Sequence, residues 1–61
     1  MTDEEQTRFA AEELFKACEW LSDAVNAERR ENGKTARAYR IGAKGRIKEA
    51  LRALERMEKK R

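Results

Sequence analysis

The chain has 61 residues, with 15 Lys or Arg, 12 Asp or Glu, one Cys, three Gly and neither Pro nor His, for a net charge of +3. That length holds one small domain, a single Cys closes no internal disulfide, and without His or a Cys cluster no structural zinc site forms. No apolar run approaches the roughly 18 residues of a membrane span, and the acidic start Thr2-Asp3-Glu4-Glu5 differs from the basic-then-apolar pattern of a secretory signal.

Residues 1–61 read as a single domain of two helices. The first is expected over about 3–31, because Thr2 followed three residues later by Glu5 matches a capping box that satisfies free amide hydrogens of the first turn. Along it Ala11, Leu14, Cys18, Leu21 and Val25 step by three and four, which places them on one face and marks that face as the core. A turn over about 32–34 follows. Glu31-Asn32-Gly33-Lys34 is the one clear turn signal, with Gly33 expected to take the left-handed conformation that ends many helices. The second helix, over about 35–60, repeats the pattern with Ala36, Ala43, Ile47, Ala50, Leu54 and Met57, flanked by Tyr39 and Leu51.

Two helices of about 28 residues each reach about 42 Å, so a short connection folds one along the other. The expected class is all-α, a two-helix antiparallel hairpin. The alternative is one unbroken helix through Gly33 in an extended coiled coil. Charge favours the hairpin: residues 1–31 hold nine acids and four bases, net −5, and residues 32–61 hold three acids and eleven bases, net +8.

Ten of the apolar residues are Ala, so few large side chains remain to offset the entropy of ordering the chain. With disulfide and metal excluded, self-association is expected, into a four-helix bundle dimer or a higher oligomer. The apolar arc of the first helix exceeds half its circumference: Phe15 lies to one side of Leu14 and Leu21, and Phe9, Trp20 and Ala27 to the other. These four residues, Phe9, Phe15, Trp20 and Ala27, are the expected interface between copies. Alternatively the Phe9/Trp20 stripe anchors a larger foreign protein.

The second helix carries a basic stripe. Between Lys34 and Lys48 stand six bases, Lys34, Arg37, Arg40, Lys44, Arg46 and Lys48, and no acid, with Ile41 inside the stripe. Cations at helical spacing suit a row of phosphates; the plainer reading is a solvated face. Ala38, Gly42 and Gly45 are expected to fall together on the outward side of this helix beside Tyr39. An internal Gly costs about 1 kcal/mol against Ala, so the pair implies a close approach at this notch, or a bend.

Chemistry has little to work with. Ser22 is the only Ser, Cys18 lies on the expected core stripe, and the adjacent pair Glu12-Glu13 diverges by about 100° on a helix. No phosphate loop or metal-ligand spacing is present. The chain therefore reads as a non-enzymatic regulator without a cofactor, cytoplasmic in view of its single unpaired thiol, self-associating and not membrane-bound. It is expected to bind an anionic partner, nucleic acid or a nucleotide-type small molecule, through the second helix. The alternative is an inhibitor or adaptor of phage or plasmid type that presents the Phe9/Trp20 stripe to a larger protein.

Overall fold

The computed structural model describes residues 2–59 and is an antiparallel hairpin of two helices, α1 (Asp3–Arg29) and α2 (Gly33–Lys59), packed along their whole length. Each has 27 residues, about 40 Å of rod at 1.5 Å per residue.

The ends are built by local hydrogen bonds. Thr2 Oγ1 accepts the Glu5 amide at 3.1 Å while the Glu5 carboxylate accepts the Thr2 amide at 3.3 Å, completing the expected capping box. Asp3, Glu4 and Glu5 place negative charge at the positive end of the helix dipole. At the other end of α1 the Glu31 amide donates to the Glu28 carbonyl at 3.0 Å and the Asn32 amide to the Ala27 carbonyl at 2.9 Å, the paired closure of a Schellman motif. The left-handed residue there is Glu31, with φ of 58°, and no glycine has positive φ. The expectation for Gly33 is thus corrected. Asn32 accepts the Thr35 amide through its side chain at 3.3 Å, so it caps α2, and Gly33 becomes the first residue of that helix.

The seam between the helices is made of alanine. Ala10, Ala17 and Ala24, seven residues apart on α1, are at most 3% exposed, as are Ala36, Ala43 and Ala50, seven apart on α2; Ala27 and Ala53 extend the two rows. A seven-residue repeat keeps one face of each rod turned to the other, and small side chains allow the backbones to approach closely. Phe9 seals the cluster of Ala10, Ala50 and Ala53, and Tyr39 that of Ala24, Ala27 and Ala36. Two polar side chains are buried in the seam, each with a partner: Gln6 accepts from Arg56 at 3.2 Å and Glu13 from Arg46 at 2.9 Å.

This arrangement corrects the face assigned to α1. Leu14, Leu21 and Val25 are 41–48% exposed and Cys18 is exposed; the buried face is displaced by one residue, about 100° about the axis. On α2 the alanines are buried as expected, but Ile47, Leu51 and Leu54 are 40–53% exposed. Two apolar rows lie side by side on each helix, and the hairpin closes on the row of small residues. Among the described residues no helix is long and apolar enough to cross a membrane.

Candidate functional site

Midway along the hairpin, Trp20 of α1 lies against Gly42 of α2. A Cβ at position 42 would stand 1.5 Å from Trp20 Cζ3 and 1.9 Å from Cε3, so only glycine leaves room for the ring. The Arg46 guanidinium sits over the same ring, 5.6 Å from its centroid, while bonding to Glu13. The group that approaches Gly42 is thus a side chain of the same hairpin, not another backbone or a flat ligand. Gly45 has nothing within 4 Å of an added Cβ, Ala38 is exposed, and Tyr39 belongs to the seam. The four residues expected to form an outward notch do not converge on one.

The expected interface set divides in the same way. Ala27 is buried in the seam, and Phe9 and Trp20 are half-buried against α2. Phe15 alone points outward, 69% exposed. The signal that could have placed Trp20 was the glycine opposite it: an aromatic on one helix and an unexplained Gly on the other, at matching distances from the turn.

The six bases of α2 also separate. Arg40 pairs with Glu28, and Arg46 is held by Glu13 and Trp20. Lys34, Arg37, Lys44 and Lys48 are exposed and form no ion pair among the described residues. At 100° per residue these four fall within about 80° of arc on the edge of α2 opposite the seam, and they extend about 21 Å along it. Ile41, 61% exposed, stands in the middle of the row. The spacing of acids decides this outcome: Glu13 and Glu28 reach only the bases nearest the seam.

A polar cleft opens beside the turn, lined by Asp23, Asn26, Arg30, Asn32, Thr35 and Tyr39. It carries one acid and one base. The feature that residue-by-residue reading missed lies elsewhere. Thr7, Leu14, Leu21 and Glu28 are seven apart on α1, and Arg40, Ile47 and Leu54 are seven apart on α2. Thr7 and Leu54 line one cleft at the open end, where the Thr7 hydroxyl meets Met57 Sδ at 3.5 Å, and Glu28 pairs with Arg40 at the turn end. Both ends of the two rows thus touch, so the rows run side by side on one side of the hairpin. Comparison with models of known families, with curated proteins and with solved structures gives no match to this chain.

Proposed function

We propose that the hairpin is a cytoplasmic, self-associating, non-enzymatic binding protein whose outer α2 edge grips the phosphates of a nucleic acid. The observation that carries this reading is the row Lys34, Arg37, Lys44 and Lys48: four cations with no ion pair among the described residues and no acid between them in sequence. A row of about 21 Å spans about six phosphates of one duplex strand at 3.4 Å of axial rise each. Its extended shape favours a polymer over a compact nucleotide, because Trp20 fills the space at Gly42 that would have enclosed a small ligand beside the row. Ile41 adds an apolar contact for a sugar or base edge.

The protein-directed alternative loses its anchor, since Phe9 and Trp20 are engaged within the hairpin. Fluorescence anisotropy with labelled single-stranded and duplex oligonucleotides tests the nucleic-acid reading. Binding should weaken with salt with a slope of about −3 to −4 in log K against log salt for four phosphate contacts per copy. Arg37→Glu and Lys44→Glu should each abolish most of it without loss of helicity, because both side chains stand in solvent. Binding that ignores both reversals, or that is flat with salt, would refute the assignment.

A further inference from the structure

The side of the hairpin that carries Leu14, Leu21, Val25, Ile47, Leu51 and Leu54 is covered by no element among the described residues. The geometry points to a second copy of this chain as its occupant, packed face to face so that four helices enclose these six side chains. This rests on the self-association in the proposed function and gives it a different interface from the aromatic set read in the sequence.

Surface area is the first argument. The hairpin exposes 4963 Å² for 7.1 kDa, whereas a compact monomer of that mass exposes about 4,100 Å². About 900 Å² is thus in excess of what a self-sufficient fold leaves open. The hairpin measures 47 by 15 Å across its broad side, about 700 Å² per copy, so two copies that meet along the whole of it bury up to about 1,400 Å², within the range of stable specific interfaces.

The distribution of side chains is the second. Among the described residues all eight buried apolar residues are alanines, and no large side chain is fully buried. Six of the eight exposed large apolar residues lie on this one side, each 40–53% exposed, while Phe15 and Ile41 point to opposite outer edges. No charged residue interrupts the rows between Thr7 and Leu21 or between Ile47 and Leu54; the Glu28–Arg40 pair closes the turn end. Desolvating those two rows therefore strands no charge, while Lys44 and Glu58, seven residues to either side of Leu51, keep their charged heads in solvent at the rim.

Width decides between occupants. The six side chains are divided between two helices, Leu14 to Val25 on α1 and Ile47 to Leu54 on α2, so a single foreign helix would cover one groove and leave its flanks wet. Another hairpin of the same length covers all of it. A two-fold related copy satisfies this with one self-complementary patch.

The test uses the full chain. Sedimentation equilibrium from about 1 to 100 μM, a range that brackets micromolar association, should give a dimer. Leu21→Lys and Leu51→Glu should weaken association by about 100-fold, because each leaves a charge in the apolar interface; Phe15→Ala and Arg37→Glu should leave it unchanged. The wild-type chain supplies a second readout that needs no mutation. Cys18 lies between Leu14 and Leu21 and is exposed in the single hairpin, so thiol labelling should be slow when concentrated and faster on dilution, over the range in which circular dichroism reports intact helices. A monomer at every concentration overturns the assignment, as does an oligomer that persists in both charged variants, or labelling independent of concentration. Loss of oligonucleotide binding in Arg37→Glu with the dimer intact, or the reverse, separates failure of this interface from failure of the basic edge.

Discussion

The seam and the broad apolar side of the hairpin are made from neighbouring rows of the same two helices, yet they are opposites in kind. The seam is alanine at every seventh position, closed and nearly dry, with its two buried polar groups paired. The broad side is leucine, isoleucine and valine, all about half exposed. Small residues bring two backbones together, while large ones carry most of the apolar area. A hairpin that closes on its small residues keeps the large ones for another surface, and that division is how a chain this short specifies both a fold and an interface.

Enlarging the seam should do the most damage. Ala43 is fully buried where the helices meet, and Ala43→Leu inserts volume with nowhere to go, costing about 3 kcal/mol. Thermal melts should shift by the same amount at every protein concentration, since the damage is within one hairpin. Truncating Leu51 to Ala acts on the other surface, and its effect should shrink as the chain is diluted. Equal concentration dependence for both variants would erase the distinction between seam and side.

A smaller change sharpens the seam itself. Gly42→Ala adds a methyl group where the Trp20 ring lies, and moving the ring off its glycine and away from Arg46 should cost about 1–3 kcal/mol. In a Trp20→Ala background the same substitution should instead stabilise by about 1 kcal/mol, the intrinsic preference of a helix for Ala over Gly. A double-mutant cycle by denaturant unfolding measures the reversal of sign. If Gly42→Ala is destabilising in both backgrounds, the ring is not the cause.

Much of this was legible in the sequence, and what was not has a physical reason. Thr2 and Glu5 fix the start of α1 through purely local bonds, and Glu31-Asn32 marks the turn. The buried face escaped because Ala10, Ala17 and Ala24 sit one residue before Ala11, Cys18 and Val25, and both rows satisfy the same helical period. Periodicity cannot rank adjacent rows, and ranking by size selects the wrong one for the inner seam. At the turn, Gly33 competed with Asn32. Asparagine's capping bond to Thr35 sets the start of α2 one residue before Gly33 can act as a helix terminator, which leaves Glu31 with the left-handed position. The basic edge was legible as a stripe, but which of its members are neutralised depends on distances across the seam.

That left-handed glutamate gives a modest third prediction. Glu31 holds φ of 58°, a conformation that costs an L side chain about 1–2 kcal/mol. Glu31→Gly relieves it at some expense in unfolded-state entropy, so the net gain should be about 0.5–1 kcal/mol. The melting temperature should rise while the pairing of Ala24 and Ala27 with Ala36 is kept. A fall would mean that the Glu31 side chain contributes more to the turn than its backbone strain removes.

The smallest effect lies at the open end, outside both surfaces. The Thr2 amide, and after it the Thr2 hydroxyl, donates to the Glu5 carboxylate and holds its pKa below the usual glutamate value. The charged form is the one the fold prefers, so this contribution is fully present above the unfolded pKa of about 4.3. It is lost as pH falls through the lower folded value. Asp3 and Glu4 stand in the same first turn, so the contribution of Glu5 has to be isolated from theirs. Glu5→Gln separates them, because a glutamine oxygen still accepts from Thr2 but does not titrate. Between pH 5 and the acid limit, the variant should lose less stability than the wild type, the difference opening below about pH 4.3. Parallel curves for the two proteins by circular dichroism would show that the capping box closes α1 without depending on the charge of Glu5.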